Sequence, residues 1–218
     1  MHVTTIRTNW ADSELNVNTH IITFNNKCII VDAGASLEDV LDVVGDKPVL
    51  AILITHAHYD HITHLENYES YFGCPIIMHE NSRLFLSNPE LNVSKYFGAE
   101  RVFKLGKVDY IKGKETLTIN DLDIKTIYTP GHTDDSVCYL FSDGTLFSGD
   151  TVFARAVGRT DLATGNPKRL IVSLNQILKL DFNEMYTGHL RSSNKEEQLK
   201  NIPVWIKYLK TMVIPKKD

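Results

Sequence analysis

Cysteine is scarce in this chain and odd in number: Cys28, Cys74 and Cys138 are widely spaced and lie in apolar runs such as KCIIV and VCYL. They read as buried, reduced thiols, since disulfides belong to oxidising compartments. Long apolar stretches are also missing. No run approaches the roughly 20 residues needed to span a bilayer, so no membrane partner is expected. The N-terminal MHVTTIRTNWADSE lacks the charged-then-apolar layout of a signal peptide, which leaves a cytoplasmic location as the default. Basic stripes are absent: 23 Lys and Arg against 27 Asp and Glu give a net charge of −4, which reads as solubility and argues against nucleic acid. Pro and Gly are spread evenly, with no linker and no sequence repeat. The 218 residues therefore read as one domain, 1–218, large enough to bury its own core.

What is present is a succession of strands and helices. Ile21, Ile22 and Phe24 belong to one strand, Asn25-Asn26 supplies a turn, and CIIVDAG is a buried strand. Leu37, Val40, Leu41 and Val44 recur at helical spacing, with Ser36 as N-cap and Gly45 past the end. The continuous run VLAILIT predicts a strand covered on both faces. A helix is expected over about 62–72, then a short strand, CPIIM. Residues 81–103 carry a weak signal, broken by Asn88-Pro89; Tyr96 and Phe97 there read as local packing or as lining for a substrate pocket. LTI, DIKTIY, VCYLF and TLF are strands, with Asp143-Gly144 as a hairpin turn. Asn166-Pro167 opens a helix faced by Leu170, Leu174 and Ile177. The last helix opens on Ser193-x-x-Glu196, read as a capping box, with Pro203 expected to bend it. Strands in runs with helices between and after them predict an α/β fold of two mixed sheets packed face to face and covered outside by helices, its halves meeting near residue 110.

The chemistry sits at strand ends. ILIT precedes His56, YTPG precedes His132, LFSG precedes Asp150, and MYTG precedes His189; the first opens into T-H-A-H-Y-D-H, adding His58, Asp60 and His61. Strand ends are where a sheet brings side chains from distant segments to one point, so seven nitrogen and oxygen donors in this setting read as a metal site. In an extended segment His56 and His58 point to the same side and can grip one ion; Asp60 and His61 come at the turn into the next helix and can face a second. Gly131, Gly149 and Gly188 each precede a donor, which suits close backbone approach.

The order H-x-H-x-D-H, then T-P-G-H-T, then S-G-D-T, then a G-H near the C-terminus resembles the metallo-β-lactamase superfamily from roughly residue 18 to beyond residue 189. The resemblance implies a four-layer αβ/βα sandwich and two divalent metal ions. His56, His58 and His132 would hold one, Asp60, His61 and His189 the other, with Asp150 bridging and Asp32 supporting from behind. Zinc is expected, with iron or manganese as alternatives that the donors do not separate. Such ions lower the pKa of bound water to about 7, and Asp60 is expected to orient the hydroxide so formed.

SGDTVFARAVGRTDL is similar to the glyoxalase II-like branch, whose hydroxyacylglutathione hydrolases cleave a thioester. The expected activity is hydrolysis of a small-molecule thioester or ester. Persulfide dioxygenases carry the same G-R-T-D and use one iron, here on His58 or His56 with His132 and Asp150. A lactonase or β-lactamase and a diiron redox module are further readings. Arg159 is expected either to bind a substrate carboxylate or to pair with Asp161. The chain departs from the pattern at Thr63-His64 and at Asp135, where the family usually has glycines. Only 29 residues follow His189, so the helical domain that helps bind glutathione in glyoxalase II is not expected. His64 and His79 read as helix-face or supporting residues, and His2 and His20 as bystanders.

Overall fold

The structure is a computed structural model and describes residues 1–9 and 16–213; Trp10 to Leu15, within the N-terminal segment read above, lie outside the described residues. Among them, the first half of the chain builds one sheet from β1 (His2–Asn9), β2 (Asn16–Phe24), β3 (Lys27–Val31), β4 (Val49–Leu53), β5 (Ile76–His79) and β6 (Val108–Ile111), in that spatial order. The second half builds another from β7 (Thr116–Ile119), β8 (Leu122–Tyr128), β9 (Val137–Phe141), β10 (Thr145–Gly149), β11 (Glu184–Thr187) and β12 (Ser193–Asn194), also in chain order. The boundary falls beside residue 110, as the sequence suggests.

Side-chain alternation explains why the inner strands β3, β4 and β9 are almost wholly apolar. In β3, Cys28 and Ile30 face an outer core while Ile29 and Val31 face the second sheet; in β9, Val137, Tyr139 and Phe141 meet them and Cys138 and Leu140 turn outward. Each fully buried Ile, Leu or Phe in this stack contributes about 1.5–3 kcal/mol. Helices cover both outer faces. α1 (Leu37–Val44), α2 (Tyr59–Ile62), α3 (Leu65–Phe72) and α4 (Ser82–Ser87) lie on the first sheet, and α5 (Pro167–Ile177) and α6 (Lys195–Val213) on the second. The result is the expected four-layer αβ/βα sandwich. No helix of the described residues is long and apolar enough to cross a membrane.

Local chemistry sets the boundaries. Asn25 and Asn26 both take positive φ, the requirement of the tight turn between β2 and β3. Ser36 accepts from the Asp39 N–H and Asn166 from the Arg169 N–H, so both predicted N-caps form. Three expectations are corrected. The helix over 62–72 is two pieces, because Thr63 Oγ1 donates to Tyr59 O at 2.6 Å and the His64 N–H turns to Ala33 O at 3.0 Å, interrupting the ladder. The cap of α6 is Asn194, whose Oδ1 accepts from the Glu197 N–H at 2.9 Å; Ser193 is paired in β12 and its hydroxyl donates to Glu197 instead. α4 forms within the weak stretch, held by burial of Phe85 and Leu86 and not by any side-chain cap. α6 continues through Pro203. Cys28 and Cys138 are buried free thiols, whereas Cys74 is only half-buried; burial pushes Cys74 and Cys138 up to about 11, which makes them inert.

Candidate metal centre

The parallel strands point their C-terminal ends to one edge of the sandwich, and every predicted donor lies there. Asp32 follows β3, His56 and His58 follow β4, Asp150 follows β10 and His189 follows β11. His132 comes from the loop after β8. The two sheets are stitched together at this edge. Val137 N–H donates to Thr55 O at 2.9 Å and Asn18 N–H to Gly188 O at 2.8 Å, while within the second sheet Gly188 N–H donates to Gly149 O at 2.9 Å. Behind them the Tyr139 hydroxyl crosses between layers to Ile54 O at 2.9 Å.

The donors converge in three overlapping groups, each with its ligand atoms within 4.8 Å of one another: His56, His58 and His132; His56, His61 and Asp150; Asp60, His61 and His189. His132 Nε2 and His58 Nδ1 are 3.0 Å apart, and His61 Nε2 and His189 Nε2 are 3.4 Å apart. Asp150 lies between the groups, with Oδ1 3.4 Å from His61 Nε2 and Oδ2 3.6 Å from His132 Nε2 and 3.3 Å from His189 Nε2. Asp60 Oδ2 reaches His189 Nε2 at 3.2 Å and His61 Nε2 at 3.9 Å.

Neighbouring acceptors decide which nitrogen each ring offers. His61 Nδ1–H donates to Asp32 Oδ2 at 2.8 Å, His132 Nδ1–H to Arg159 O at 2.8 Å, and His189 Nδ1–H to Asn16 O at 2.8 Å. All three rings thereby aim an Nε2 lone pair at the centre. Asp32 is itself fixed by the Thr55 N–H and hydroxyl, both at 2.8 Å. Burial holds His56 and His58 well below the usual imidazole range, so both are neutral, the form that ligates a cation. At His61 and His189 burial works the same way, but the carboxylates outweigh it: Asp150, Asp60 and Asp32 raise His61, and Asp150 with Asp60 takes His189 to about 10. Asp60 falls to about 2 against its own burial, chiefly through His61 and His189. A field that draws positive charge so strongly, beside buried and unpartnered His56 Nε2, His58 Nε2 and Asp150 Oδ1, fits divalent cations.

Two glycines make the approach possible. At Gly149, φ is +48° and a Cβ would come within 2.5 Å of Thr55 Oγ1; at Gly188 a Cβ would overlap Asp150 Oδ1 and meet His61 Cε1 at 2.5 Å. Gly188→Ala is accordingly expected to fold yet displace Asp150 and His61. Elemental analysis of the purified variant should show less than half the wild-type metal content, and unchanged content would refute the steric argument.

Several residues matter here that the sequence reading passed over. His20 is no bystander: it is buried, donates from Nε2 to Thr187 O at 3.1 Å, and accepts at Nδ1 from the Thr5 hydroxyl at 2.9 Å. Asn18 Nδ2 donates to Thr187 O and Leu190 O, holding the turn that carries His189. His79 stacks on Tyr128 with centroids 4.3 Å apart, His64 holds the N-cap position of α3 without a side-chain cap bond, and neither belongs to a donor group. Arg159 forks onto Asp161 at 2.7 and 2.6 Å, while Arg155 is exposed and turns toward Glu197.

Asp135 is wholly buried, and its Oδ2 accepts from the Ala57 N–H at 2.9 Å and the Ser82 hydroxyl at 2.7 Å, clamping the backbone between His56 and His58 to α4. Burial raises its carboxyl from about 3.8 to about 6. The folded state keeps that proton up to about pH 6, whereas the unfolded chain releases it near pH 4. Stability from this group is therefore present below pH 4 and falls as pH rises to 6, by about 3 kcal/mol. Asp135→Asn keeps the accepting oxygen without the charge. Its denaturation midpoint should gain on wild type across pH 4–6 and run parallel above; a constant difference across that window would contradict the assignment.

A cavity of about 400 Å³ opens onto His58, Asp60, His132, Asp150 and His189. Phe97 lines it, and Tyr96 instead bonds Glu90 at the surface. A larger hollow of about 620 Å³ lies at the other end of β10 and β11 and contains none of the donors.

A family model described as the metallo-beta-lactamase superfamily matches residues 12–189. The "Probable metallo-hydrolase YqgX" of Bacillus subtilis is 32% identical over 167 residues, covering 75% of this chain and 79% of that relative. The "Probable metallo-hydrolase MJ0888" of Methanocaldococcus jannaschii is 33% identical over 187 residues, 79% of this chain and 86% of that one. Among solved structures, the BLEG-1 B3 metallo-beta-lactamase superposes with a TM-score of 0.84 at 27% identity, over 94% of this chain and 99% of its own. TTHA1623 in a di-iron-bound form gives 0.78 at 24% identity, over 94% of this chain and 100% of its own, a likeness of fold.

Proposed function

The chain belongs to the metallo-β-lactamase superfamily, and from that premise we propose that it is a metal-dependent hydrolase of a small thioester or ester. The observation that carries the reading is the direct opening of the 400 Å³ cavity onto donors from both sheets. His56, His58 and His132 would hold one divalent ion and Asp60, His61 and His189 the other, with Asp150 shared. Zinc suits this nitrogen and oxygen set, as do iron and manganese. Bound ions supply Lewis acidity toward a carbonyl oxygen and acidify water at neutral pH.

The chain's own residues supply the rest. Asp60 lines the cavity with Oδ2 3.2 Å from His189 Nε2, a position from which it would accept a hydrogen bond from the attacking water and aim its lone pair. Asp32, Arg159 O and Asn16 O keep the imidazoles in one tautomer throughout turnover. Phe153, Val157 and Leu162 wall the cavity and exclude bulk water from the reacting carbonyl. The names of the two curated relatives support hydrolysis. In the test, chelated protein loses thioesterase activity and two equivalents of metal restore it; turnover that persists in metal-free protein ends the reading, and oxygen uptake with a persulfide by the iron-loaded protein would put a dioxygenase in its place.

A further inference from the structure

The cavity over the donors is apolar, and its composition speaks to the substrate. Its wall is built from Val93, Phe97, Phe153, Val157, Leu162 and Leu190. Arg159 is the one arginine or lysine among the residues lining it, and its guanidinium is committed to Asp161 through two hydrogen bonds. On the other side stand the metal-donor side chains, Asp60 and Asp150 among them. A charged group carried away from the reacting carbonyl would lose water along this wall and find no unpaired guanidinium or ammonium there in exchange. An alkyl chain would lose nothing and gain the wall. The volume, at the low end of the range for small-molecule pockets, suits a short chain attached to one reacting carbonyl.

We propose that the cavity selects an uncharged acyl group of short to medium length, carried as a thioester or ester on an uncharged leaving group, in preference to a glutathione conjugate. The assignment rests on the hydrolase reading above and adds its substrate class. Beyond Leu190 a second depression carries Arg7 and Arg191. Arg191 is held by Glu197, so Arg7 is the group there that could meet an anionic substrate.

The test uses metal-loaded protein and matched S-acyl thioesters of N-acetylcysteamine and of glutathione. From acetyl to hexanoyl, kcat/KM should climb at least tenfold, given about fourfold per fully buried methylene. Exchanging N-acetylcysteamine for glutathione should give no gain. Leu162→Lys should flatten the chain-length series, and Phe97→Ser, at a half-exposed position, covers the case in which the lysine prevents folding. A flat series in wild type overturns the proposal, as does a tenfold preference for glutathione that Arg7→Ala removes. Calorimetric titration with the thioether S-hexyl-N-acetylcysteamine, which cannot be hydrolysed, separates pocket from reaction. Tight binding weakened tenfold by Leu162→Lys, with no thioester turned over, would uphold the pocket and sink the hydrolase reading; absence of binding would sink the pocket.

Discussion

Asp150→Ala is expected to lower turnover by a factor on the order of 10³ or more, because several kcal/mol of charge stabilisation at the reacting centre are lost with the shared donor. Asp150 is buried between three imidazoles, at 3.3 to 3.6 Å from His189, His61 and His132. Among the described residues no other carboxylate spans both groups: Asp60 reaches His61 and His189. The loss should appear in metal content as well as rate, with fewer than two equivalents retained after dialysis. A second readout is independent of activity. Asp150 heads the charges that raise His61 and His189, so in metal-free variant the titration of His189 should move down from about 10 toward the ordinary imidazole range. Full turnover and full metal content in Asp150→Ala would remove Asp150 from the centre.

Asp32→Asn should be nearly as damaging to metal binding while leaving the fold intact. Asp32 sits at φ +62°, a conformation asparagine tolerates, so the backbone is not disturbed. Its Oδ1 accepts from Thr55 N–H, and its Oδ2 accepts from the Thr55 hydroxyl and His61 Nδ1–H. An asparagine that keeps the Thr55 N–H bond must turn its amide toward His61. The ring then has to accept at Nδ1 and carry its proton on Nε2, where the lone pair is needed. Metal affinity should fall 10–100-fold, the usual effect of losing such a support, with stability changed by less than about 1 kcal/mol. Asp32→Ala leaves buried donors unpaired and should cost about 3–5 kcal/mol in denaturant unfolding. Equal metal affinities for wild type and Asp32→Asn would show that the tautomer of His61 is not set by this contact.

Part of this centre is legible in one dimension. His56, His132, Asp150 and His189 each follow an apolar strand run closed by a small residue, so their shared position at a sheet edge can be read directly. Asp32 is legible through its VDAG setting. Asp135 is not, because its partners Ala57 and Ser82 lie 78 and 53 residues away and nothing local distinguishes it from Asp134 beside it. His20 is misread for the same reason, its carbonyl partner being 167 residues distant. α4 escapes because six residues are too few to show a helical period, and burial of Phe85 and Leu86 supplies what propensity does not. The break between α2 and α3 also depends on a distant atom, the Ala33 carbonyl that takes the His64 N–H.

Alternation of apolar residues, turn dipeptides and caps are short-range signals, and they determine the strands, most of the helices, their layering and the seven donor positions. Which ring nitrogen faces inward, where Arg159 spends its charge and how apolar the cavity wall is are decided by tertiary structure alone. Each of those depends on a carbonyl, carboxylate or side chain brought close only when the two sheets pack, and a hydrogen bond reads distance in space, not along the chain.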